Sequence, residues 1–185
     1  MADQGSEGLL SPWLRGVRIR AACPYLKGRV LDVGCGSGPL ADYVATDMYL
    51  GVERDAEALF EARTRHPDHR FQAELPSARP EFDTVAALAV IEHASDPLTF
   101  LEQLTQRLAP GLESRIICTT PRPWVRLIHE AGAHLGLFSI KAAEEHERLL
   151  DRDQLERLAA SCRLSISLYH WFLFGANQLL VLHRA

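Results

Sequence analysis

Short apolar runs bounded by turn residues alternate with helix-periodic segments along most of the chain, and this alternation narrows the fold more than any other feature. Strands separated by helices return through crossovers, which builds a parallel sheet with helices packed on its faces, an α/β architecture. The strand-like runs fall at 29–33, 49–52, 69–73, 82–88 and 115–119. Two more, at 164–169 and 178–183, close the chain as an expected hairpin. The run 82–88 is apolar enough to be buried on both faces. Ser11-Pro12 marks a helix start, a capping serine followed by proline at the first helical position. Leu10, Trp13, Leu14, Val17 and Ala21 form that helix's apolar stripe, while Arg15, Arg18 and Arg20 are expected to point mostly elsewhere. Further helices are expected over 39–46, over 55–66, and from Asp96-Pro97, where Leu101, Leu104 and Leu108 recur at i, i+3 and i+7. Asp151 and Gln154 make a capping box ahead of Leu155 and Leu158. The expected organisation is one domain over 1–185, with 1–28 as an N-terminal capping helix and 121–150 as an insertion over one end of the sheet.

Composition excludes several alternatives. With 185 residues, 47% apolar and 24% charged, the chain has the balance of a globular domain. A net charge of -4 gives no global attraction to nucleic acid. No apolar run approaches the roughly 20 residues of a membrane helix, and the first ten residues carry acids and glycines rather than a signal-peptide core. A soluble, cytoplasmic protein without a membrane partner is therefore expected. Cys23, Cys35, Cys118 and Cys162 are scattered and read as apolar fillers, not as a disulfide framework or a zinc knuckle. His129 and His134 imitate a zinc-protease helix, but spacing i,i+5 rotates the two rings by about 140°. No metal is expected.

The first strand runs into Gly34-Cys35-Gly36-Ser37-Gly38. A glycine-rich loop between a strand and a helix lets the backbone approach a ligand closely and aims helix N-terminal N–H groups at it. A phosphate-cradling loop would end in Lys-Ser or Lys-Thr, whereas Pro39-Leu40 follows here. The dinucleotide fingerprint needs glycine at the sixth position, which is Pro39. Nineteen residues after Gly34, Glu53 ends the second strand, where a carboxylate can accept hydrogen bonds from both hydroxyls of a ribose; a solvated charge at a helix start is the alternative.

The stretch Asp32-Val33-Gly34-Cys35-Gly36-Ser37-Gly38 resembles motif I of the class I S-adenosylmethionine-dependent methyltransferases. The likeness continues in order through Leu50-Gly51-Val52-Glu53, Phe82-Asp83-Thr84-Val85, Val90-Ile91-Glu92-His93 and Leu108-Ala109-Pro110-Gly111. The tail, Glu145-His146-Glu147 through Asn177-Gln178, is similar to small methyltransferases of the ubiquinone-biosynthesis-like and polysaccharide-cluster type. The resemblance implies a doubly wound, Rossmann-like sheet of seven strands, order 3-2-1-4-5-7-6, mostly parallel with the last strand antiparallel. It also implies S-adenosylmethionine as cofactor. By the same resemblance Asp32 organises the loop and attracts the cofactor's ammonium, and Gly34, Cys35 and Gly36 line the methionyl part. Glu53 holds the ribose with Arg54 beside it, and Leu88 offers its backbone near the amino group. The position that aligns with an adenine-reading acid is Gln72, with Glu74 two residues later as the alternative. Leu112 stands where a second glycine usually follows Pro-Gly, and the helix ending near Cys162 lacks its usual terminal glycine.

A hydroxyl acceptor benefits from a general base near the transferred methyl, and histidine suits neutral pH. His93, just past the fourth strand, is the candidate catalytic residue; its alternative is a helix-start histidine bonded to the backbone. His129, His134 and His146 in the insertion are further candidates. The Asn/Asp-Pro-Pro-Tyr motif of amino-group methyltransferases is replaced by Ala87-Leu88-Ala89-Val90. No basic stripe with interleaved aromatics marks a nucleic-acid path. Trp124, Leu127, Leu135, Leu137 and Phe138 favour a small, partly apolar acceptor. The expected activity is methyl transfer from S-adenosylmethionine to a small molecule, at oxygen. The alternative is a non-catalytic methyltransferase-like cofactor-binding or partner subunit.

Overall fold

A computed structural model describes residues 11–124 and 149–185. Seven strands form one sheet: β1 (Val30–Val33), β2 (Tyr49–Val52), β3 (Arg70–Gln72), β4 (Thr84–Leu88), β5 (Arg115–Pro121), β6 (Leu164–Phe172) and β7 (Asn177–Arg184). Their order is β3-β2-β1-β4-β5-β7-β6, as the resemblance implied. Strands β3 through β5 pair in parallel, and β7 runs antiparallel to both β5 and β6. Four helices among the described residues cover the faces: α1 (Ser11–Ala22), α2 (Ala56–Arg65), α3 (Pro97–Thr105) and α4 (Arg152–Ser161).

The period-2 alternation of a strand divides the core into two layers. In β4, Val85 and Ala87 pack with Leu101 and Leu104 of α3 and Leu155 and Ala159 of α4. Ala86 of the same strand turns the other way, toward Ile19 of α1 and Leu59 and Ala62 of α2. Strand β4 is thus covered on both sides, which is why it carries no charged residue. Asp151 and Gln154 form the expected capping box, and Asp55 and Asp96 cap their helices too, accepting from Ala58 N–H and Leu98 N–H. Gly51 is required for close approach, because a Cβ there would lie 2.5 Å from the Phe71 ring.

Three features depart from the sequence reading. The helix expected over 39–46 is absent: Pro39–Tyr43 forms a five-residue 3₁₀ turn and Thr46–Met48 a second, shorter one. Residues 34–48 connect β1 to β2, and within them Gly38 at positive φ and the extended Val44 and Ala45 bound the first turn on either side. The run expected at 82–88 enters the sheet as a strand only at Thr84; Phe82 makes an isolated bridge to Leu108. The terminal hairpin is longer than expected, and its β6 strand carries a bulge between Ile166 and Leu168. Of the segment read as an insertion, 125–148 lies outside the described residues, and with it His129, His134, Phe138 and His146.

Candidate functional site at the carboxyl ends of β1, β2 and β4

At the end of β1 the chain turns sharply with Gly34, Gly36 and Gly38 all at positive φ. Gly34 shows why: a Cβ there would lie 2.5 Å from Val90 Cγ2. Four of the loop's five main-chain N–H groups are engaged. Gly34 and Cys35 both donate to the Val52 carbonyl at 2.8 and 3.1 Å, and Gly38 donates to Cys35. Gly36 N–H donates to Glu53 Oε2 at 2.9 Å. Together with the missing helix, this corrects the expectation that helix N-terminal N–H groups point at the ligand. A loop whose donors are spent on β2 and Glu53 has few left for a phosphate.

Glu53 is half-buried at the end of β2, and its other oxygen accepts from Asp55 N–H at 2.9 Å. A carboxylate offers about four lone-pair positions, so two bonds to the backbone leave about two for a ligand. Asp32, the third residue of β1, is almost fully buried. Burial pushes its carboxyl up to about 7, opposed by the hydrogen bond from Tyr49 and reinforced by the charge of Glu53. The Tyr49 hydroxyl donates to Asp32 Oδ2 at 2.8 Å. Burial also raises the Cys35 thiol well above its ordinary range, so Cys35 is a packing residue and not a nucleophile.

Two cavities meet at Gly34. The inner one, of about 220 Å³, is lined by Asp32, Gly34, Cys35, Gly36, Leu88 and Ala89, and by Arg15, Arg18 and Ile19 of α1. The outer one, of about 230 Å³, is lined by Gly34, Glu53, Arg54, Val90, His93 and Phe100, among others. Seven of the eight expected cofactor residues therefore lie on one or both walls, and His93 lies on the outer one. Gln72 lines neither; its carboxamide donates to the Glu74 carbonyl. Glu74 lies further out, beside Arg54 and Arg107 in a third and wider opening.

Arg15 and Arg18 are the residues that sequence reasoning missed. Expected to point away, they face the inner cavity instead. Arg15 Nη1 donates to Ser37 Oγ at 3.5 Å, and Arg18 Nε to Asn177 Oδ1 at 3.2 Å. Arg18 is desolvated enough to lower its affinity for a proton, which the nearby Glu92 charge partly offsets. Their i,i+3 spacing put both on one helix face, a signal masked by the apolar stripe that shares the helix.

Residues 13–162 match the methyltransferase domain family. A ubiquinone biosynthesis O-methyltransferase of Dinoroseobacter shibae is 28% identical over 77% of this chain and 62% of its own length. The chain thus spans less than two thirds of that relative. A tRNA U34 carboxymethyltransferase of Pseudoalteromonas atlantica is 38% identical over 52% of this chain and 33% of its own. Among solved structures, magnesium protoporphyrin IX methyltransferase from Synechocystis PCC 6803, with bound SAH, superposes with a TM-score of 0.70 at 18% identity, covering 99% of this chain and 90% of that one. With the sheet order, the loop and the order of its motifs in agreement, this chain belongs to the methyltransferase domain family, within the class I S-adenosylmethionine-dependent methyltransferases.

Proposed function

We propose that the chain transfers a methyl group from S-adenosylmethionine to a hydroxyl of a small-molecule acceptor. One observation carries the cofactor reading: the glycine loop has most of its N–H groups tied inward while the carboxylates of Asp32 and Glu53 border the two cavities. That arrangement suits a ligand with an ammonium at one end and a ribose in the middle, and disfavours one carrying phosphates. Asp32 would face the ammonium, and Arg15 and Arg18 would neutralise the carboxylate of the same amino-acid part. Glu53 would use its remaining lone pairs on the ribose hydroxyls. Leu75, Phe100 and the stem of Arg54 supply surface for the base.

The cofactor brings an electrophilic methyl on a positive sulfonium, so the protein's task is to align the acceptor and remove its proton. His93, exposed on the outer wall, is the side chain we assign to that proton. Two points support oxygen as the acceptor atom: Ala87-Leu88-Ala89-Val90 stands in place of an amide-binding Pro-Pro-Tyr motif, and curated relatives with O-methyltransferase activity align over most of the chain. Calorimetry with S-adenosylhomocysteine, followed by turnover of S-adenosylmethionine on a panel of phenols and other hydroxyl compounds, tests the proposal. Heat with the cofactor and a methyl ether as product are expected. No heat refutes the cofactor assignment; binding without product from any hydroxyl compound refutes oxygen transfer, and silence from a wider metabolite library as well favours a non-catalytic subunit.

A further inference from the structure

Four described residues other than glycine have positive φ. Arg163 follows the end of α4, and Leu173 and Phe174 form the turn between β6 and β7. Ala89, at φ 60°, is different: it lines the inner cavity beside Asp32, Gly34 and Leu88. A left-handed conformation costs an L-residue with a Cβ free energy, and such strain persists only where the surroundings enforce it.

The surroundings at Ala89 are specific. Its N–H donates to the Thr119 carbonyl at 2.8 Å, which extends the β4–β5 pairing one residue past the strand. The chain then turns, Val90 comes to rest against Gly34, and the 3₁₀ turn Ile91–His93 begins. Val90 lines the outer cavity, Ala89 the inner one, and Gly34 both. We infer that Ala89 is a positioning residue: its left-handed turn seats Val90 in the notch above Gly34 and so builds the wall at which the two cavities join. A ligand occupying both cavities would lie against that wall, so the inference rests on the cofactor reading given above.

The test compares side chains that tolerate the left-handed region with one that does not. S-adenosylhomocysteine affinity is measured by calorimetry, and thermal stability alongside it, for Ala89→Gly, Ala89→Asn and Ala89→Val. Conformational control predicts that Gly and Asn stay within about threefold of the unaltered chain, while β-branched Val loses about tenfold or more. Rescue by Asn is decisive, because Asn is much larger than Ala yet tolerates this conformation. If Asn binds as weakly as Val, or Val binds normally, the inference is overturned. Should Ala89→Val not fold, Val90→Ala takes its place: a loss of about fivefold or more beside a normal Ala89→Gly supports the inference, and equal affinities refute it. An unaltered chain that gives no heat overturns the cofactor reading and this inference with it; a chain that binds, with variants ranking by size, overturns the inference alone.

Discussion

Asp32 makes a prediction whose size follows from its burial. Its carboxyl is raised from an ordinary 3.8 to about 7, chiefly by desolvation. A carboxyl whose native value lies above its unfolded one holds an extra proton in the folded state between those two values. Its contribution to stability is therefore complete below about pH 4 and is lost as pH climbs through 7. Linkage places about 2 kcal/mol of that contribution at about pH 5.5 and almost none at about pH 8.5. Asp32→Asn keeps the shape and an acceptor for the Tyr49 hydroxyl but cannot ionise. Urea unfolding of the ligand-free protein at both pH values should show the unaltered chain losing about 2 kcal/mol more than the variant over that interval. The ionised form that destabilises the empty protein is also the one that would meet the cofactor's ammonium. Affinity for S-adenosylhomocysteine should accordingly rise through pH 7 in the unaltered chain and remain flat and weaker in Asp32→Asn. Parallel stability curves for the two proteins would show that Asp32 does not titrate in this interval and would refute the reasoning.

Three further outcomes are expected. Glu53→Ala removes the acceptor for Gly36 and Asp55 N–H as well as two charge-assisted ligand bonds worth about 1.5–3 kcal/mol, and should weaken S-adenosylhomocysteine binding more than about tenfold by calorimetry; unchanged affinity in a folded variant counts against the ribose assignment. His93→Ala should lower turnover and leave cofactor affinity intact, and turnover equal to that of the unaltered enzyme clears His93 of a catalytic role. Arg163 holds φ 55° just past the cap of α4, where glycine would be unstrained. Arg163→Gly should therefore raise the urea midpoint by a stability gain of about 0.5–1 kcal/mol, and a lower midpoint would contradict that account.

Much of this was legible in the residues. The strands, the capping box and the glycine loop follow from periodicity, cap chemistry and motif spacing, each a local signal that tertiary packing here reinforces, whereas the strand order came from the family resemblance. Glu53 was found because its distance from Gly34 is set by one crossover and one strand. The 39–46 helix failed because apolar spacing does not reveal that Val44 and Ala45 adopt extended backbone and split the segment into two short turns. Gln72 was placed by alignment to a strand end, and alignment does not reveal that its amide would bind the Glu74 carbonyl. Ala89 left no trace at all, since alanine carries no preference for the conformation it adopts.

The shortened crossover has a chemical consequence that links these findings. Replacing an α-helix by two 3₁₀ turns removes the aligned N-terminal N–H groups and the dipole that a longer connection would have aimed at the ligand. The loop's own donors are meanwhile drawn into Val52 and Glu53. The charged side chains that line the inner cavity are Asp32 from β1 and Arg15 and Arg18 from α1, and on the proposed reading charge recognition falls to them. Helix α1 thus lines the inner cavity as well as covering the sheet. Its contacts with Ser37 and Asn177 tie it to the glycine loop on one side and to the start of β7 on the other, which holds the two guanidinium groups beside a loop most of whose own donors are spent.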